Sequence, residues 1–156
     1  MASDAQDATL TLTAACARLH LGELRALRWR DVDFERRIIH VRRPYGLANE
    51  DVPKSGRARA VPLVDQVARV LDALSRRDVF TGEDEHGFPN PTGGFLDDSA
   101  LRRRYYRALR ATSIAHLRFH DLRHTFGTLA VQEFPLSDVK ARHPCRAAIV
   151  YARRAT

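Results

Sequence analysis

At 156 residues the chain has one domain's length, enough to bury a core without help from metals or disulfides. Apolar residues make up 44% and charged residues 29%, as in an ordinary globular protein, and no apolar run reaches the roughly 18 residues that a membrane span requires. Twenty-six Lys and Arg against nineteen Asp and Glu leave a net charge of +7; a folded surface facing a polyanion and a merely basic soluble protein both fit that balance.

Residues 8–19 place Leu12, Ala15, Cys16 and Leu19 at helical spacing, and Leu24 with Leu27 open a second helix after Gly22. From Asp33 to Arg43 the pattern turns to β-type, with Ile38, Ile39 and Val41 on a strand and Pro44-Tyr45-Gly46 as a turn. A second β segment runs from about Arg57 to Leu63. Asp65 starts a helix carrying Val67, Val70, Leu71 and Leu74 on one face. Residues 81–96, rich in Gly, Pro and acids, read as a long surface loop. Asp97 or Asp98 then caps a helix with Leu101, Tyr105, Ala108 and Leu109 on its apolar side and Arg102, Arg103, Arg104, Arg107 and Arg110 on the other. A last helix spans about 120–132. The expectation is an α+β fold, mostly helical, with a small antiparallel three-stranded sheet. Cys16 and Cys145 lack any metal-ligand spacing and are expected to be reduced and structural. The first residues show neither the basic start nor the apolar stretch of a signal peptide, so the expected location is cytoplasmic.

Chemistry concentrates in four stretches. His120, Arg123 and His124 stand at i, i+3 and i+4 within Phe119-His120-Asp121-Leu122-Arg123-His124-Thr125. At a helix's first turn they share one face with the backbone N–H groups of the helix start, an arrangement that suits one phosphate; a solvated polar face is the bland alternative. His116, His120 and His124 also fall four apart, but no carboxylate or Cys completes a zinc set. The second stretch is Lys54-Ser55-Gly56-Arg57-Ala58-Arg59-Ala60-Val61-Pro62-Leu63, the third Gly22-Glu23-Leu24-Arg25-Ala26-Leu27-Arg28-Trp29-Arg30-Asp31-Val32-Asp33, and the fourth runs from Asp138 through His143 to Tyr151.

Together these stretches resemble the catalytic domain of the tyrosine recombinases of the phage-integrase family, over about residues 8 to 151. The first is close to that family's His-x-x-Arg box, the second to its hairpin text TKTGRSRTVPL, the third to GELLALRWxDVD, and the fourth more distantly to MGHxxIxTTxxYxH. The resemblance implies a double-stranded DNA substrate, cut and rejoined through a 3′-phosphotyrosine with no metal or cofactor. It makes Tyr151 the nucleophile, Arg123 the ligand of the non-bridging phosphate oxygens, His120 and His143 their partners or proton carriers, and Lys54 the general acid. Arg57, Arg59, Arg102, Arg103, Arg107 and His124 become candidate DNA contacts. It also implies one catalytic-type domain over 1–156, with the family's N-terminal core-binding domain absent, and a possible homo-oligomer on DNA.

Two departures bear on activity. The family's TGLRxGEL carries its first catalytic arginine two residues before the second Gly, and here that position is His20. A neutral imidazole offers one donor where a guanidinium offers several. Arg18, two positions earlier on a supposed helix and so rotated by roughly 200°, is not expected to replace it. In the fourth stretch His143 and Tyr151 are eight apart, no Gly precedes the His, and the segment is shorter than the family's. Two functions therefore stay open: an impaired recombinase domain, and an inactive integrase remnant that keeps nonspecific DNA binding. A third, a DNA-binding regulator on the same scaffold, predicts a salt-resistant specific site.

Overall fold

The computed structural model describes residues 2–42, 59–112 and 116–122. The first helix, α1 (Ala2–Ala17), starts earlier than the spacing of Leu12 and Ala15 suggested. Its buried stripe is Leu10, Thr13, Ala14 and Ala17, with Leu12 and Ala15 only half-buried beside it. A threonine can sit on that stripe because its hydroxyl is satisfied within the helix: Thr13 Oγ1 donates to the Thr9 carbonyl at 2.7 Å, and Thr9 Oγ1 to that of Ala5 at 2.8 Å. Cys16 is buried on the same helix, where loss of solvent pushes its thiol pKa up.

After α1 the chain reverses through residues 18–20 into α2 (Leu21–Ala26), which takes Gly22 into the helix rather than starting after it. Arg18 has φ +54, the left-handed conformation used where a helix ends. The rotation argument against Arg18 therefore lapses, since it and His20 lie between two helices and not on one. An L-residue held there costs roughly 1–2 kcal/mol relative to ordinary backbone, and the family text TGLRxGEL carries glycine at this position. Arg18→Gly is expected to stabilise the fold by about 1 kcal/mol once the greater freedom of glycine in the unfolded chain is subtracted. A rise in the urea midpoint at unchanged slope checks it.

A 3₁₀ turn at Trp29–Asp31 leads into β1 (Val32–Asp33), β2 (Ile38–Val41) and β3 (Arg59–Pro62), an antiparallel sheet in the order β1-β2-β3. Ile39 faces Val32 on one side and Val61 on the other, and Val41 faces Arg59. Alternation along β2 sends Ile39 and Val41 inward. Next come α3 (Asp65–Ser75), which packs on α1 through Val67, Ala68 and Leu71, and α4 (Asp98–Ala111). Asp97 caps α4, its carboxylate accepting the Ala100 N–H. The antiparallel three-stranded sheet and surrounding helices agree with the expected fold class.

The stretch expected to be a surface loop differs most. Residues 76–97 hold Phe88 at 0% exposure and bury His86 and Leu96 as well. Arg77 organises them. Its guanidinium donates to the carbonyls of Phe80 at 2.7 Å, His86 at 2.9 Å and Gly87 at 3.2 Å, and its Nε to that of Val79 at 2.8 Å. The same group lies 5.5 Å from the centroid of the Trp29 ring, whose Nε1 donates to the Phe80 carbonyl at 2.9 Å. Irregular backbone can be buried here because one five-donor side chain satisfies its carbonyls. Among the described residues, no helix is long and apolar enough to cross a membrane.

Candidate functional site

The structure brings together two of the residues singled out in the sequence. His20 and His120, a hundred positions apart, have ring centroids 6.2 Å apart and planes inclined by 20°. Both are exposed, and each is presented by the same local device. Leu19, 3% exposed, plugs into the core while His20 beside it faces out. Phe119, 4% exposed, does the same for His120, meeting the Tyr105 ring edge-on at 5.2 Å, and Leu122 anchors the far side of the turn. Phe119 and Leu122 thus fix the backbone of the box, and His120 between them is left at the surface. Phe119–Asp121 forms a 3₁₀ turn, with Arg118 Nε donating to Asp121 Oδ2 at 3.0 Å across its exposed side. The helix expected over about 120–132 lies, after Leu122, outside the described residues. So do Lys54, Arg57, Arg123, His124, His143 and Tyr151.

Beneath His20 is a residue that the reading of the sequence quoted but did not single out. Glu23 is 8% exposed. Its Oε2 accepts the His20 backbone N–H at 2.8 Å, which fixes the start of α2. Arg59 grips the same carboxylate from β3 with two parallel bonds, 2.6 Å to Oε1 and 2.7 Å to Oε2. Burial pushes the Glu23 carboxyl pKa up, but the bonds from Arg59 and from the His20 N–H, with the Arg59 charge, outweigh it and hold the group below its ordinary range. Arg59, a candidate for DNA phosphate, is engaged inside the protein and ties the hairpin strand to the His20 corner. The sequence offered only an acid followed, 36 positions on, by an arginine at an exposed position of a strand. Nothing local in the chain says that the two meet.

The arginines of α4 divide into two groups. Arg104 turns inward, its Nη2 donating to Asp7 Oδ1 of α1 at 3.0 Å, and so joins two helices. Arg102 is exposed but bonded through Nε to Asp98 Oδ1, one turn back, at 2.8 Å. Arg103, Arg107 and Arg110 are exposed and make no ion pair among the described residues. The outward face of α4 is therefore a cationic surface with three guanidinium groups available to a ligand. Among the described residues no three His, Cys, Asp or Glu gather closely enough to hold a metal ion.

Comparison with known proteins gives a consistent result. The model of the phage integrase family matches residues 2–142. A tyrosine recombinase XerC of Xanthomonas campestris pv. campestris is 32% identical over 111 residues, covering 70% of this chain and 31% of that protein. A putative prophage phiRv2 integrase of Mycobacterium tuberculosis is 32% identical over 126 residues, covering 76% of this chain and 34% of that one. The chain thus spans about a third of the length of these relatives. Among solved structures, XerH site-specific recombinase bound to its difH substrate superimposes with a TM-score of 0.69 at 19% identity, over 96% of this chain and 43% of that one. At that identity the likeness speaks for the fold.

Proposed function

Since the chain belongs to the phage integrase family, whose tyrosine recombinase members are its relatives, we propose that it is a DNA strand-cutting and rejoining domain of reduced activity. The observation that carries this reading is the exposed His20–His120 pair. It sets the position of the family's first arginine beside the first histidine of the His-x-x-Arg box. A phosphate seated there would receive imidazole donors from both rings.

In the proposed reaction the Tyr151 phenol passes its proton to an imidazole, His120 or His143, as its oxygen attacks a scissile phosphate. A 3′-phosphotyrosine bond forms as the bond from phosphorus to the 5′ oxygen breaks. Lys54 gives its proton to that leaving oxygen, which would otherwise depart as a poor alkoxide. Arg123 binds the non-bridging oxygens, His120 and His143 hydrogen-bond there or carry protons, and His20 is a weak occupant of the arginine's place. A 5′ hydroxyl then attacks the phosphotyrosine and restores the backbone. No external energy source is needed, because the covalent intermediate conserves the bond. Arg103 and Arg107 contact phosphates along the duplex as positioning groups without sequence information. Arg59 acts indirectly, through Glu23, on the placement of His20.

The test is a pool of nicked duplexes with randomised cores, on which cutting releases a short fragment and traps the enzyme. A denaturation-resistant protein–DNA adduct is expected from the full chain and none from Tyr151→Phe. No adduct from the full chain, nor from His20→Arg, sinks the cutting reading. What then stands is the second one, favoured by the histidine at position 20: an inactive integrase remnant whose DNA binding is nonspecific and salt-sensitive.

A further inference from the structure

A second aromatic feature lies just upstream of the histidine pair. Tyr106 and His116 stack with ring centroids 5.1 Å apart and planes within 8° of parallel. Tyr106 is half-buried and His116 exposed. Behind Tyr106 stands Tyr105, edge-on at 5.4 Å, and behind Tyr105 stands the buried Phe119 at 5.2 Å. A chain of rings therefore runs from the core out to His116, and its inner member is the residue before His120. Helical spacing puts Arg102, Arg103 and Arg110 at i−4, i−3 and i+4 from Tyr106, three of its four nearest neighbours along α4, the fourth being the half-buried Leu109. All three are exposed, with Arg102 bonded to Asp98.

We propose that the Tyr106–His116 stack is a seat for an unpaired DNA base, held on the surface of α4 while the flanking arginines take the adjoining phosphates. The chemistry of the patch selects this ligand. An exposed ring stacked on one side keeps its outer face for a planar partner, and every nucleobase has such a face. Guanidinium groups around the ring suit the phosphates on either side of the base, whereas the hydrophobic core of a protein–protein contact is depleted in charge. Fully paired DNA hides its base faces in the stack, so the occupant is a base freed beside a nick or gap, where strand exchange takes place. The inference rests on the cutting reading for its setting, yet it concerns binding alone and is tested apart from it.

The experiment compares two probes with the full chain: a paired duplex, and the same duplex carrying a short single-stranded gap with a fluorescent base analogue in it. The wild type is expected to bind the gapped probe more tightly and to quench the analogue by stacking. His116→Ala should weaken binding to the gapped probe about tenfold, abolish the quenching, and leave the paired duplex within about twofold. His116→Phe, which keeps a stacking ring, should retain both the preference and the quenching. Arg107→Ala, outside the arginines that flank Tyr106, should weaken both probes alike and lower the salt dependence, whereas Arg103→Ala should cost the gapped probe more. Equal affinity of the wild type for the two probes overturns the seat, as does an equal loss on both with His116→Ala. A chain that shows the preference and loses it with His116→Ala, but forms no adduct, keeps the seat and drops the cutting chemistry.

Discussion

Replacing His20 by arginine is expected to raise the rate of covalent adduct formation on nicked DNA by about a hundred- to a thousandfold, the usual weight of one preorganised donor group at a developing charge. The backbone needs no adjustment. His20 has φ −71 and ψ 154, extended geometry open to any L-residue, and its N–H is already fixed by Glu23. Leu19 stays in the core and the new side chain leaves the same exposed corner. A guanidinium there would face the phosphate with a fixed charge and a fork of parallel donors, which an imidazole ring does not have. Because the position is exposed, stability should change by no more than about 0.5 kcal/mol, so a change in rate is not a change in folding. Single-turnover adduct kinetics make the measurement. An unchanged rate for an active chain would mean that the scissile phosphate does not sit between His20 and His120.

The sequence was most informative where local rules decide the outcome. Ile38, Ile39 and Val41 fell on β2 as expected, Asp65 opened α3, and Asp97, one of two candidate caps, capped α4, each through physics confined to a few neighbouring residues. The FHDLRH box pointed to phosphate chemistry through its resemblance to the family's His-x-x-Arg box; its spacing alone left a solvated polar face equally open. Its geometry was not legible: that His20 approaches His120 depends on two buried anchors, Leu19 and Phe119, a hundred positions apart in the chain. The loop at 81–96 misled for a related reason. Gly, Pro and acids report that a segment is irregular, not that it is exposed. The fan of bonds from Arg77, four of them to carbonyls between Val79 and Gly87, helps Phe88 to be fully buried there. Arg59 was read as a candidate DNA contact, and its bond to Glu23 was not legible because that partner is 36 residues away.

The Arg59–Glu23 bridge gives the second large prediction. Arg59→Ala is expected to lower stability by about 3 kcal/mol at neutral pH, the low end for breaking a buried pair. The cost falls on Glu23, which is 8% exposed and would keep a carboxylate with the His20 N–H as its remaining bond. The low end is appropriate because the Arg59 side chain is itself 44% exposed. The dependence on pH follows from the direction of the Glu23 shift. Its folded pKa is held below the unfolded value, so the pair's contribution is present above the unfolded pKa of about 4.3 and is lost as pH falls through the folded value. The gap between wild type and variant should therefore narrow on acidification, as measured by urea unfolding at a series of pH values. Arg59→Lys should recover only part of the loss, since an ammonium cannot make the two parallel bonds. The variant should also lose adduct formation beyond its loss of folded protein, because the same carboxylate positions the backbone of His20. If Arg59→Ala instead matches the wild type in stability and weakens only DNA binding, the guanidinium faces phosphate in solution and the Glu23 bridge is not what holds the His20 corner.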